Sequence, residues 1–179
     1  ENLPSSKLEL IMDVEVDRMR NLAINQADLT SELQVVGEER RWRIDNNPPG
    51  LLRELMMTTL FQVSNYRWPV IGYMEDIQSY TSEKLRTFYD KFYIPNNAVL
   101  VIAGDFKIAE TKKMIEKYYG KLEAKPLEEK KFVKEPLPKK AQRKEMKWDV
   151  QNSSFLLGYP TVEIGHPDSF ALDLAASLL

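Results

Sequence analysis

The sequence contains no cysteine and only one histidine among its 179 residues. Without thiols, the chain cannot form disulfide bonds, thiolate metal sites or a cysteine nucleophile. The single imidazole belongs to His166, which lies in a Gly-His-Pro segment typical of a turn. A Ser-His-Asp site would have to use this turn histidine, and no GxSxG segment precedes a predicted helix. The common nucleophile-based hydrolase sites are therefore not indicated.

Glycine and long apolar runs are also scarce. The chain has seven glycines, none of them clustered, so it offers no glycine-rich loop for a nucleotide phosphate. No apolar run is long enough to span a bilayer. The 25 basic and 27 acidic residues nearly balance, which gives no electrostatic case for a nucleic acid or an anionic membrane as partner.

Hydrophobic residues make up 43% of the chain, enough for a core in one ordinary domain or in parts of two. Apolar periodicity and capping residues predict helices over residues 8–22, 30–47, 50–61, 81–92, 108–119 and 169–179. Continuous or alternating apolar residues predict strands over 98–103, 143–150 and 153–159. Lysine, glutamate and proline dominate residues 121–141, a composition typical of a linker.

The predicted helix over residues 30–47 carries an acidic stripe. Thr30 or Ser31 would cap its first turn, and its apolar spacing runs through Leu33, Val36 and Arg40. On this helix Glu32 and Glu39 lie seven residues apart, which returns a side chain to nearly the same face, whereas Glu38 points elsewhere. Taken alone, such a stripe is typical of a solvated helix face.

Several segments around this helix resemble the insulinase/pitrilysin family of zinc metallopeptidases, in particular its bacterial and mitochondrial-processing-peptidase-like branch. The similar segments, in chain order, are ELQVVGEERRWRIDNNP, PVIG, YIPNNAVLVIAGDF and a helix ending in YYG. They extend over nearly the whole chain and keep the order and approximate spacing of the family. The resemblance therefore rests on the ensemble of segments and not on any single one.

The resemblance implies an α+β fold with a mixed or antiparallel sheet covered by helices, and an incomplete one. Residues 1–125 would be the C-terminal part of a first, catalytic-type peptidase domain. Residues 126–139 would be the Lys/Glu/Pro linker. Residues 140–179 would be the opening hairpin and helix of a second, non-catalytic-type domain.

The family binds its catalytic zinc with two histidines of an HxxEH motif and with a glutamate on a separate, downstream helix. The residue that matches this third ligand is Glu39, and Glu32 matches the supporting acidic residue that orients the metal site. HxxEH does not occur in this sequence, so the resemblance places no catalytic residue in the chain itself. We therefore expect a fragment whose two histidines and general base lie upstream of Glu1.

The resemblance implies a zinc-dependent metalloendopeptidase that hydrolyses peptides or small proteins with metal-activated water. Zinc is expected in the intact parent, whereas this chain alone should be inactive and should bind zinc weakly or not at all. The alternative is a non-catalytic partner or scaffold subunit of the same family. The presence of Glu39 and Glu32 favours the enzyme, because an inactive partner has no use for a ligand carboxylate.

The expected partners are a peptide substrate, held as an added strand, and a paired second half or subunit of the same family. We also expect residues 143–179 to cover the apolar strand 98–103, within one chain or by exchange in a swapped dimer. The resemblance leaves the compartment open between the bacterial cytoplasm and the periplasm.

Overall fold

The computed structural model describes residues 1–178 as helices joined by extended segments. The helices are α1 (Leu8–Asn21), α2 (Gln26–Arg40), α3 (Pro48–Leu60), α4 (Met74–Ser79), α5 (Ser82–Phe92), α6 (Ile108–Tyr119) and α7 (Ser169–Leu178). Single 3-10 turns occur at Ser5–Lys7, Asn65–Arg67 and Pro95–Asn97, and a π-helical turn over Arg41–Asp45 continues α2. None of these helices is both long and apolar enough to cross a bilayer.

The chain divides into two compact units. Unit 1 contains Glu1–Val35 and Gln78–Lys131, and unit 2 contains Val36–Ile77 and the described residues from Phe132 onward. The division falls inside α2. Glu32 therefore belongs to unit 1 and Glu39 to unit 2.

In unit 1, α1 packs against α6 and is joined to α5 by the buried side chain of Tyr89. The Tyr89 hydroxyl donates to the carbonyl oxygen of Arg18 at 2.7 Å and accepts from the amide of Leu22 at 3.3 Å. These two backbone groups lie at the end of α1, where intrahelical partners run out. One tyrosine thus both fills the core and caps a neighbouring helix.

In unit 2, α3 packs against the π-helical turn and the 3-10 turn at Asn65–Arg67. Pro48 and Pro49 occupy the first two positions of α3, where a missing amide hydrogen costs nothing. Gly158 lies against the other end of this helix, and a Cβ at this position would come within 3.0 Å of Leu60 Cδ1. The extended segment thus approaches α3 closely, and a Cβ at this position would require the Leu60 side chain to move.

The predicted α+β fold is wrong for the part of the chain that the structure describes, because residues 1–178 contain helices and no strand. The run 98–103 is irregular and exposed, with Val99 at 89% and Val101 at 79% of their full accessibility. The segments 143–150 and 153–159 likewise form no ladder. An apolar run favours extended backbone, but a strand also needs a hydrogen-bonded neighbour, which the pattern does not supply. The prediction that 143–179 pairs with 98–103 within one chain is therefore wrong, and exchange between two chains stays a prediction.

Several helix predictions are confirmed. The predicted bounds of α6 are confirmed, and Thr81 caps α5 by accepting from the amide of Lys84 at 3.2 Å. The predicted cap of α2 is wrong. Asn25 caps it instead, since its Oδ1 accepts from the amide of Asp28 at 2.8 Å, while Thr30 lies inside the helix.

Candidate functional site

Glu39 lies in the last turn of α2 and keeps a half-exposed carboxylate. Its side chain is 39% exposed, and Oε1 accepts from Arg43 Nη2 at 2.9 Å across one turn. A solvent-exposed ion pair of this kind contributes only about 0–1 kcal/mol. The carboxylate can therefore exchange its arginine partner for another cation at little cost, as a metal ligand must.

The two other glutamates of α2 differ from Glu39 in their surroundings. Glu32 is exposed and lies two helical turns earlier on α2. Glu38 is exposed and paired with Arg41. Glu38 is the same residue type as Glu39 and lies in the same turn of α2, but its side chain leaves the helix in a different direction. It is therefore a matched control for Glu39.

The residue after Glu39 has a buried side chain with several polar contacts in unit 2. Arg40 is 6% exposed and makes a two-pronged ion pair with Glu54 of α3, with Nη1–Oε2 at 3.0 Å and Nη2–Oε1 at 3.2 Å. Its Nη2 also lies 3.1 Å from Asp45 Oδ1, and its Nη1 donates to the carbonyl oxygen of Gly72 at 2.7 Å. Arg40 thus fixes the end of α2 to α3, to the π-helical turn and to the loop before α4.

The charge of Arg40 is stabilised where it lies. Burial acts to lower the pKa of Arg40, but hydrogen bonds and charges from Glu54 and Asp45 outweigh it and raise the pKa above its ordinary value. The guanidinium also lies 5.7 Å from the ring centroid of Tyr73. A charged, multiply bonded arginine directly after Glu39 stabilises the end of α2.

The π-helical turn over Arg41–Asp45 carries the chain from α2 to α3. Gly50 of α3 packs against this turn so closely that a Cβ would lie within 3.0 Å of the carbonyl oxygen of Arg43. π-helical turns are uncommon and occur frequently at functional sites. Here the turn directly follows the candidate ligand helix.

The residues that the structure describes do not complete a metal centre. No group of three His, Cys, Asp or Glu side chains within residues 1–178 could hold a metal ion, whereas a catalytic zinc needs three protein ligands. His166 lies in a turn, where its Nδ1 accepts from the amide of Asp168 at 3.2 Å. This agrees with the turn role predicted for it. Glu39 can supply one carboxylate ligand and needs partners from elsewhere.

Sequence reasoning missed the part played by Arg40 and Glu54. The available signal was the position of Arg40 in the apolar spacing with Leu33 and Val36, because a charged side chain on a buried stripe requires a buried partner. Its partners Glu54 and Gly72 are 14 and 32 residues away in the sequence. The pattern therefore indicates that a partner exists, but not which residue it is.

Comparison with known proteins defines the class to which this chain belongs. A sequence profile described as "Peptidase M16 inactive domain" matches residues 79–179, more than half of the chain. The chain belongs to the peptidase M16 family, the family of insulinase-type zinc metallopeptidases. The resemblance found in the sequence is thereby confirmed.

Relatives with curated names are zinc proteases. The zinc protease PqqE of Helicobacter pylori (strain ATCC 700392 / 26695) is 31% identical over 179 residues, which cover 97% of this chain and 40% of PqqE. The uncharacterized zinc protease YmxG of Bacillus subtilis (strain 168) is 24% identical over 172 residues, which cover 94% of this chain and 40% of YmxG. The chain thus spans about two fifths of the length of these relatives.

Solved structures with a similar fold are also proteases. A protease from Helicobacter pylori superposes with a TM-score of 0.66 at 32% identity, covering 75% of this chain and 33% of that protein. The ferredoxin protease FusC, solved with Arabidopsis ferredoxin, superposes with a TM-score of 0.67 at 23% identity, covering 74% of this chain and 15% of FusC. At that identity, the likeness to FusC concerns the fold alone.

Proposed function

We propose that this chain is part of a zinc-dependent metalloendopeptidase and that Glu39 is its third zinc ligand. The observation that carries the proposal is the half-exposed Glu39 carboxylate. Glu39 is the penultimate residue of α2 and directly precedes the buried Arg40. The zinc-protease names of PqqE and YmxG support the same activity for the longer protein. The chain covers 40% of each, so two histidines and a general base have room elsewhere.

Three residues of α2 have a defined task in this proposal. Zinc, when bound, makes hydroxide available near neutral pH by lowering the pKa of its water. Glu39 supplies one anionic oxygen ligand and gives up its surface pair with Arg43. Arg40 holds the end of α2 in place, and Glu32 orients or tunes the ligand set through hydrogen bonds. The chain alone, without HxxEH, is inactive.

The substrates in this proposal are peptides or small proteins, bound with a paired second half of the same family. The FusC structure contains a small protein, ferredoxin, together with its protease. A solved first half of the protease PqqL from Escherichia coli superposes on this chain with a TM-score of 0.65. Both structures support the proposal through fold alone, at 23% and 21% identity.

A non-catalytic partner subunit of the same family is the second candidate. One observation favours it, because the matching profile is described as the inactive domain. That match begins at residue 79 and does not include Glu39, so it leaves the role of α2 open. The complete reading frame separates the two candidates, since only the enzyme requires an HxxEH motif.

The experiment is peptide hydrolysis by the complete protein and by this chain, assayed with a quenched fluorescent peptide library and zinc. We expect activity only in the complete protein, and we expect Glu39→Gln to lower it at least about 10³-fold while Glu38→Gln leaves it within about twofold. Full activity of Glu39→Gln would exclude the ligand role. Zinc-dependent hydrolysis by this chain alone would exclude the proposal that the two histidines and the general base lie elsewhere in the complete protein.

A further inference from the structure

A carboxylate is bound by backbone amides just beyond the end of α3. The amide of Gln62 donates to Glu135 Oε1 at 2.7 Å, and the amides of Val63 and Ser64 donate to Glu135 Oε2 at 2.9 and 2.6 Å. The three donors are consecutive residues in a non-helical bend. Successive amides that converge in this way form an anion-binding nest. We call residues 62–64 the amide nest.

The amide nest is braced by its own surroundings. Arg67 Nη1 donates to the carbonyl oxygen of Gln62 at 2.7 Å, and the Arg67 amide donates to the carbonyl oxygen of Ser64 at 3.1 Å. The rings of Phe61 and Tyr66 pack at 5.5 Å on either side of the bend. None of these contacts involves Glu135, so the donors are held in place independently of their ligand.

The electrostatics of the nest favour an anion. Desolvation acts to raise the pKa of Glu135, but hydrogen bonds from the three amides and the charge of Arg67 outweigh it and hold the pKa below its ordinary value of 4.5. Arg67 Nε is also buried and has no hydrogen-bond partner among residues 1–178. The site therefore offers three directed donors beside a cation.

Glu135 belongs to the Lys/Glu/Pro linker, and its contact sets the path of the residues that follow. Residues 138–142 and Lys144, together with residues 156–160 and side chains of α3, line a groove of about 460 Å³. Only a few residues separate Glu135 from this groove. Fastening Glu135 thus fixes one wall of the groove against α3.

We propose that the amide nest and Arg67 form a carboxylate-binding site whose resident ligand is Glu135, and that this ligand latches the linker onto the end of α3. The site recognises a carboxylate group and not the rest of the residue. When Glu135 is removed, the nest accepts a free carboxylate in its place. This inference does not depend on zinc or on the role of Glu39.

The test uses amide hydrogen exchange and chemical shifts of Gln62, Val63 and Ser64 in the full chain by NMR. The variants are Glu135→Ala, Glu135→Gln and, as a control in the same linker, Glu129→Ala. We expect Glu135→Ala to lose at least about tenfold in protection at the three amides and Glu129→Ala to lose none. Glu135→Gln keeps a neutral acceptor and should lie between them. Unchanged protection inside α3 reports that the helix is intact.

Sodium acetate is the probe for the vacant nest. We expect it to shift the three amides of Glu135→Ala in a saturable manner and to leave the wild type unchanged, because there the nest is filled by the tethered carboxylate. The proposal is overturned if Glu135→Ala and the wild type exchange alike. It is also overturned if acetate produces no saturable shift in Glu135→Ala, or the same shift in both proteins.

Discussion

Arg40 and Glu54 form a largely buried ion pair in unit 2, with the two side chains 6% and 19% exposed and two N–O distances of 3.0 and 3.2 Å. The pair joins the last residue of α2 to the middle of α3. Glu39 precedes Arg40 directly, so the candidate ligand and the anchor share one turn of helix. The anchor is therefore the natural place to disturb the candidate site without touching its carboxylate.

Replacing Arg40 by methionine should destabilise the protein by about 3 kcal/mol, because removing one partner leaves the partly buried Glu54 carboxylate uncompensated. Urea unfolding of the chain measures this loss. Arg41→Met removes only an exposed pair with Glu38 and should cost less than about 1 kcal/mol. Adding Glu54→Gln to Arg40→Met should restore part of the loss. Equal stabilities for Arg40→Met and Arg41→Met would contradict the role of Arg40 as the anchor between α2 and α3.

Two glycines on either side of the π-helical turn should respond to alanine in opposite directions. At Gly50 the new Cβ would come within 3.0 Å of the Arg43 carbonyl oxygen, so Gly50→Ala should cost about 1–3 kcal/mol. At Gly37 the nearest atom is Met74 Sδ at 3.9 Å, and Gly37→Ala should gain up to about 1 kcal/mol in helix propensity. Thermal unfolding followed by circular dichroism distinguishes the two. A stabilising Gly50→Ala would contradict the close approach.

In unit 1 the hydroxyl of Tyr89 should be worth more than that of Tyr93. Tyr89→Phe leaves the carbonyl oxygen of Arg18 and the amide of Leu22 without this partner, at a cost of about 1–2 kcal/mol. Tyr93 is exposed, and Tyr93→Phe should change the free energy of unfolding by less than about 0.5 kcal/mol. Urea unfolding of the two variants checks the difference. Similar changes in the free energy of unfolding for both variants would contradict the capping role of Tyr89.

The amide nest should make protection at residues 62–64 depend on pH. The pKa of Glu135 in the folded chain is lowered from 4.5 by the three amides and Arg67, after an opposing effect of desolvation. The latch is therefore fully present above about pH 5 and is lost as the pH falls through the lowered pKa. Arg67 is the charged group that contributes to this shift. Amide exchange of Glu135→Gln should lack this step, and a step of equal size in both proteins would contradict the latch.

The helices were predictable because their signals are local. Thr81 and the apolar spacing after it lie within the helix that they define, and α6 begins and ends at the predicted residues. Errors occurred where two local signals compete. The sequence predicts that Thr30 or Ser31 caps α2. In the structure α2 begins earlier, because Asn25 caps it by accepting from the amide of Asp28. The six-residue α4 was missed because so short a helix shows no full apolar period.

The sheet was predicted wrongly and the Arg40 anchor was missed for a common reason, since strands and buried ion pairs both depend on partners distant in sequence. Residues 98–103 have the composition of a strand but no ladder partner among the residues described. The partners of Arg40 come from α3 and from Gly72, and the ligand of the amide nest comes from Glu135 about 70 residues later. Spacing within one segment indicates what a residue requires, but not where the chain supplies it.

The most direct test of the account is the zinc content of the complete protein. After dialysis against metal-free buffer, atomic emission should find about one zinc per chain in the wild type and in Glu38→Gln, and at most about one tenth of that in Glu39→Gln. One zinc per chain in Glu39→Gln, equal to the wild type, would contradict the assignment of Glu39 as a metal ligand.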